Sequence, residues 1–190
     1  MTYAIIENKQ QIREEALAAR DSLPMDWRIE ASLKMAKYAD EIEFSPQEII
    51  SGFLPIRSEV DLRPLMHNLR QAGAQLCLPD IVNRETLVFR NFTNETELRE
   101  AEFGTLVPAA DEPVLDPTIM LVPLSGYDKN GSRLGYGGGY YDRSIKRLHE
   151  KDIKPLLIGI GFSCQEVERV PMEHHDVRMD RILTEKGFVL

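Results

Sequence analysis

The 190-residue chain predicts an α/β fold: a three-layer sandwich with a mostly parallel central sheet, helices on both faces and a small β excursion around residues 83–117. Three observations carry that expectation. Helix-patterned segments and short apolar runs alternate along most of the chain, as they do in three-layer α/β domains. At 43% hydrophobic, a chain of this length buries one core, and no linker or repeat divides it, so residues 1–190 read as a single domain. An apolar run is followed by a glycine cluster and then a helix, the order in which α/β folds build anion sites.

Residues 8–22 and 26–43 are predicted helices. Ile12, Ala16, Ala19 and Leu23 share one face, and "SLP" followed by "MDW" marks the break between the two. Trp27 and Met35 read as packing residues of the second helix. "EIISGFLP" (48–55) is a short apolar run closed by proline, which suits a buried strand. Residues 61–72 form a helix, with Gly73 just past its end as the stop. Read locally, Ser58 caps that helix with Asp61 as the reciprocal acid, and Glu59 is a first-turn residue favoured by the dipole. "AQLCLP" (74–79), "TLVFRNF" (86–92) and "TIMLVPL" (118–124) are strands. A helix over 140–150 follows the glycines, then "PLLIGIGF" (155–162) and "RILTE" (181–185) as the last strands.

Lys and Arg number 23 against 31 Asp and Glu, for a net charge of -8. Such a chain does not suit broad nucleic-acid or anionic-membrane binding, so neither partner is expected and any anion site must be a local basic pocket. "TIMLVPL" and "PLLIGIGF" are far too short to span a bilayer. "MTYAIIENKQQIREE" shows no basic flank before an apolar stretch, so a cytoplasmic protein without a secretory signal is expected. Cys77 and Cys164 lack metal-ligand spacing and read as two inert thiols in a reducing compartment.

"NGSRLGYGGGYYDRS", residues 130–144, holds five of the chain's twelve glycines between Gly131 and Gly139. Each glycine loses more backbone freedom on folding than any other residue, and a surface turn rarely needs three in a row. A strand, a glycine turn and a helix let backbone N–H groups and the helix dipole face an anion with no Cβ in the way. The loop therefore reads as a polyphosphate cradle. It is not a Walker A loop, because "GGGYYDR" lacks the Lys-Ser/Thr pair, and its glycines are out of phase with the dinucleotide fingerprint. Arg133 and Arg143 bracket it and supply positive charge. Asp142 suits a Mg²⁺ ion bridging phosphate oxygens, and equally suits a first-turn acid stabilised by the dipole. His174 and His175 diverge in extended backbone and form no H-x-x-x-H pair, which argues against zinc.

"RLGYGGGYYDR" resembles the signature of the 5-formyltetrahydrofolate cyclo-ligase family, also called 5,10-methenyltetrahydrofolate synthetase. "KQQIR", "SEVDLRPL", "FGTLVP", "LVPLSGYDKNG", "GIGFSCQ" and "VPMEHHDVRMDRILTE" match in that family's order, so the resemblance covers nearly the full length. Two departures stand out. Val107-Pro108 lies where the family usually carries Glu-Pro, which bears on folate contacts. Pro123-Leu124 lies where Pro-Gly is common, which bears on the approach to the glycine loop.

The resemblance implies a ligase that uses ATP and Mg²⁺ to convert 5-formyltetrahydrofolate to 5,10-methenyltetrahydrofolate. It implies ATP binding by Lys9, Arg13, Arg133, Leu134, Gly135, Tyr136, Gly137, Gly138, Gly139, Tyr140 and Tyr141. It implies folate binding by Phe53, Leu54, Glu59 and Tyr140, and metal binding by Asp142 and Asp176. From spacing alone, Lys9 and Arg13 read as a solvated helix face balanced by Glu14 and Glu15; the family's matching pair reaches phosphates. The family's matching Glu binds the folate, and a carboxylate suits the paired N–H donors of a pterin edge. No covalent nucleophile is required, because the intermediate forms on the substrate and positioning carries catalysis. The expected partners are two small molecules, reduced folate and ATP, bound by a monomer. A small-molecule kinase and a non-hydrolysing nucleotide-binding regulator are the other readings of the same loop. The acidic chain weighs against single-stranded RNA on the Gly/Tyr cluster.

Overall fold

The computed structural model describes residues 2–46, 48–101, 104–173 and 176–190. Two helices open the chain, α1 (Thr2–Asp21) and α2 (Met25–Met35). Pro24 lies just before α2 and has no N–H of its own, but its carbonyl accepts the first helical bond, from Arg28 N–H at 3.0 Å. The predicted second helix keeps α geometry only to Met35 and runs on as a 3₁₀ turn, Ala36–Glu41. Ala36 and Ala39, three apart, bury the tighter turn, and Asn68 Nδ2 donates to the Ala36 carbonyl at 2.8 Å.

The first strand, β1, is Ile49–Ser51, shorter than the predicted run. Beyond it, a Cβ on Gly52 would lie 2.2 Å from Met66 Sδ, so glycine is what lets α3 (Arg63–Gln71) approach the strand end. That helix starts two residues later than predicted, with Leu62 at the cap position and no side-chain cap bond. β2 (Gln75–Ile81) and β3 (Leu87–Asn91) form an antiparallel pair. The excursion is a separate ribbon of β4 (Leu98–Glu100) and β5 (Leu106–Pro108), after which β6 (Val114–Leu115) pairs back onto β3.

β7 (Ile119–Pro123) does not lead straight into the glycine loop, as the sequence suggests. A small ribbon, β8 (Gly126–Tyr127) with β9 (Arg133–Leu134), intervenes. Its turn is closed by Asp128, whose buried carboxylate accepts N–H bonds from Asn130, Ser132 and the distant Val170. Then come α4 (Tyr140–Glu150), β10 (Leu156–Ile160), β11 (Arg181–Thr184) and β12 (Gly187–Phe188).

The main sheet has the order β12-β11-β10-β7-β1-β2-β3-β6, with β11, β10, β7, β1 and β2 all parallel. Side chains of β7 alternate between two cores. Ile119 and Leu121 face the layer of α2 and α3, while Met120 and Val122 face α4. The expected three layers are therefore present, and truncating Leu121 to Ala in such a core costs about 2–5 kcal/mol. From β1 the chain winds outward to β2, and from β7 it winds the other way to β10. That reversal makes β1 and β7 a topological switch point, where open α/β sheets bind ligands at the carboxyl ends of the strands. Helix α1 packs chiefly on β8 and on the 3₁₀ turn Ser163–Gln165, across those carboxyl ends.

Candidate active site

A cavity of about 1490 Å³ opens at the switch point. Pockets for one small ligand hold roughly 300–1,000 Å³, so this one has room for two. Every residue that the resemblance assigns to phosphate, folate or metal lines it.

One side is the glycine loop. Gly137 and Gly139 have φ of +95° and +64°, left-handed values that side chains other than glycine's rarely tolerate. Gly139 is the N-cap of α4 and provides no side-chain cap, so no cap claims the first N–H groups of the helix, whose opening residues Tyr140, Tyr141 and Asp142 line the cavity. Arg13 steadies the loop, donating from Nε to the Gly135 carbonyl at 2.7 Å. Lys9 reaches Glu173 at 3.0 Å and Asp176 at 2.5 Å. Burial works against its charge, but those two hydrogen bonds outweigh it and raise the ammonium pKa. Arg133 is buried beneath the loop and grips Asp142 Oδ1 while also donating to the Val177 carbonyl. Arg143, expected to bracket the phosphates, instead donates to the carbonyls of Glu85 and Arg84 and lies over the Tyr140 ring at 4.9 Å. It ties α4 to the β2–β3 turn.

The opposite side is built by the segment after β1. The local capping reading of Ser58 and Glu59 is corrected here. Ser58 Oγ accepts from Arg20 Nε at 2.9 Å and donates to Asp21, while Asp61 pairs with Arg63 at 2.6 Å. Glu59 is 8% exposed, and its Oε2 accepts the Ile56 N–H at 2.9 Å. The Tyr136 hydroxyl lies beside the same carboxylate, yet among the described residues Oε1 is buried without a partner in hydrogen-bond geometry. Burial raises the Glu59 pKa, against the opposing pull of the Ile56 N–H, Tyr136 and Arg20. A buried acceptor left unmet costs about 1–3 kcal/mol, a penalty that a ligand N–H would relieve. Phe53 and Leu54 add apolar wall, Phe53 doubling as core.

A sequence model described as the 5-formyltetrahydrofolate cyclo-ligase family matches residues 5–185. This chain belongs to that family. A 5-formyltetrahydrofolate cyclo-ligase of Haemophilus influenzae is 29% identical over 93% of this chain and 97% of its own. One of Escherichia coli K12 is 30% identical over 71% and 76%. A 5,10-methenyltetrahydrofolate synthetase from Aquifex aeolicus superposes with a TM-score of 0.79 at 28% identity, covering 95% of this chain and 91% of that one. One from Mycoplasma pneumoniae has the same fold, with a TM-score of 0.73 at 22% identity over 93% and 98%.

Both departures from the cyclo-ligase pattern are accommodated. Leu124 fits into space left by Gly159 and Gly161, where a Cβ would stand 2.8 and 2.6 Å from its methyl carbons. Val107 is buried and lines the cavity from β5. That ribbon is clamped by Asp80, fully buried on β2, which accepts from Arg90 at 2.8 Å and Arg99 at 2.8 Å. Among the described residues no cluster of three or more acidic, His or Cys side chains forms a metal cage. The donor set still fits Mg²⁺ carried on a polyphosphate, which needs only one or two carboxylates. Among the described residues, Asp142 receives its bonds from Arg133 and the Val177 N–H on Oδ1, which leaves Oδ2 for such an ion. His174 and His175 lie outside the described residues.

Two features of this cyclo-ligase cavity escape a sequence reading. The β4–β5 ribbon supplies wall from Thr105 to Val107. Arg20 is 1% exposed and donates from Nη1 to the Tyr136 hydroxyl at 3.1 Å. Its signal was present: positions 9, 13, 16 and 20 fall on one helical stripe.

Proposed function

We propose that the chain is a single-domain, monomeric, cytoplasmic enzyme that converts 5-formyltetrahydrofolate to 5,10-methenyltetrahydrofolate while ATP becomes ADP and phosphate. The observation that carries this reading is the pairing, across one cavity, of an uncapped glycine-rich helix start with the partnerless oxygen of Glu59. An anion and a flat N–H donor are thereby received side by side.

In this reading the glycine loop and the start of α4 cradle the triphosphate, with Lys9 and Arg13 above it and Arg133 beneath. Glu59 accepts the paired N–H groups of the pterin and orients the N5-formyl group toward the nucleotide. The formyl oxygen attacks the γ-phosphorus and ADP leaves. N10 then bonds to the activated carbon, its proton is lost, and the C–O bond breaks to release phosphate carrying the former formyl oxygen. Mg²⁺ held by Asp142, with Asp176 nearby, would neutralise charge on the phosphate oxygens. No side chain needs to bond covalently to substrate, so alignment and fixed charge supply the acceleration.

The test mixes purified protein with MgATP and 5-formyltetrahydrofolate and follows the methenyl chromophore. Growth of the chromophore requires both ATP and a divalent cation. An equal rate after chelation removes the metal's role. ATP turnover indifferent to folate points instead to a kinase, and ATP binding without turnover to a regulator.

A further inference from the structure

Arg20 lies two turns beyond Arg13 on the cavity side of α1, fully buried. A guanidinium offers five donors and no acceptor, so whatever it touches must accept. Its nearest carboxylate is a loose one, Asp21 at 3.6 Å and 56% exposed. The close bonds go to two hydroxyls: Nε to Ser58 Oγ at 2.9 Å and Nη1 to Tyr136 at 3.1 Å.

Accepting from Arg20 leaves each hydroxyl its own hydrogen to donate. Ser58 donates to Asp21, and the Tyr136 hydroxyl lies beside the Glu59 carboxylate. Ser58 and Glu59 belong to the segment after β1, whereas Tyr136 sits inside the glycine loop. The first segment is not relaxed backbone: Arg57, just before Ser58, has φ of +56°, a left-handed value held by its surroundings. One buried side chain thus grips both walls of the cavity.

We propose that Arg20 is a positioning residue that couples the two substrate sites, holding the Glu59 segment and the glycine loop in one arrangement through Ser58 and Tyr136. It rests on the assignment of the glycine loop to ATP and of Glu59 to the folate. Phosphates that settle the glycine loop settle Tyr136, and with it the Glu59 carboxylate. Nucleotide binding therefore tightens folate binding, and folate tightens nucleotide binding by the same factor.

The experiment measures the dissociation constants of 5-formyltetrahydrofolate and of a magnesium complex of a non-hydrolysable ATP analogue, each alone and with the other saturating. Wild type is expected to show a reciprocal gain of about five- to a hundredfold. Arg20→Lys keeps the charge but lacks the two-pronged reach, and Tyr136→Phe removes a single hydroxyl from a half-exposed ring. Both should bring the gain close to one. Tyr136→Phe keeps the test alive if Arg20→Lys folds poorly. Coupling retained in Tyr136→Phe, or a lower Tm with full coupling in Arg20→Lys, would reduce Arg20 to a packing residue. Wild type that forms the chromophore yet binds the two ligands independently overturns the coupling alone. Wild type that binds no folate overturns the coupling and the assignment of substrates together.

Discussion

The Arg133 guanidinium holds Asp142 by a single oxygen, with Nη1 at 3.1 Å and Nη2 at 3.2 Å from Oδ1. The residues are nine apart in sequence, on either side of the glycine loop, and their contact closes the loop at its base. Arg133→Ala removes that closure and leaves the carboxylate, among the described residues, to the Val177 N–H. A charge-assisted hydrogen bond contributes roughly 1.5–3 kcal/mol, so kcat/KM for ATP should fall about tenfold to a hundredfold. Arg133→Lys should recover part of the loss. Wild-type kinetics across ATP concentrations in the Ala variant would remove Arg133 from the phosphate site.

Lys9 neutralises two carboxylates from a segment more than 160 residues away. Lys9→Ala brings Glu173 and Asp176 together without that cation and takes a positive charge from the cavity. A drop of about tenfold to a hundredfold in kcat/KM for ATP is expected, with Lys9→Arg milder. Because its pKa is raised, the pair's stabilisation is complete below the ordinary lysine value and lost as pH rises through the raised one. No alkaline limb of the pH–rate profile below the ordinary lysine range should therefore belong to Lys9. Such a limb, abolished by Lys9→Arg, would contradict the pairing seen here.

Glu59 is expected to separate folate binding from stability. Its folded pKa is raised by burial, so the folded state binds the proton more tightly than the unfolded chain does. The charged form therefore opposes folding at neutral pH, and stability is gained as pH falls through the raised value. Glu59→Gln keeps an acceptor for the Ile56 N–H and should melt no lower than wild type at pH 7. Folate affinity should fall roughly tenfold to a hundredfold in Glu59→Ala, with Gln between, while MgATP affinity holds. Wild-type folate affinity should weaken as pH drops through the same raised value, and that limb should vanish in Glu59→Gln. Lower melting in both variants with unchanged folate affinity would leave Glu59 only its support of the Ile56 turn.

Neither cysteine is expected to take part in the chemistry. Cys77 is fully buried, its thiol pKa is pushed up by desolvation, and its Sγ sits 3.7 Å from the Ile50 carbonyl. Cys77→Ser should cost about 1–3 kcal/mol of stability, since a hydroxyl replaces a small apolar group in the core. Cys164→Ala should be nearly silent. Both variants should keep wild-type kcat once corrected for folded fraction. A phosphoryl or formyl group trapped on either sulfur would overturn a mechanism whose intermediate forms on the substrate.

The sequence by itself determined the layered fold and the glycine turn that opens α4, because both are written in short-range patterns. Alternating apolar positions in "TIMLVPL" place Ile119 and Met120 on opposite faces whatever lies beside them. Three glycines before Tyr140 permit left-handed backbone, which Gly137 and Gly139 adopt, and leave the helix start without a side-chain cap. Two-residue strands such as β8 and β9 carry no periodicity, so the ribbon between β7 and the loop was not legible. The Ser58 cap was misread for a related reason: a local motif was satisfied by a residue 38 positions away. Only the tertiary structure decided that β1 lies beside β7, which makes the switch point, and that Glu173 and Asp176 meet Lys9. It alone buried Arg20 between two hydroxyls from separate loops. Such pairings depend on which distant groups desolvate one another, and burial of that kind is set by the packing of the whole chain.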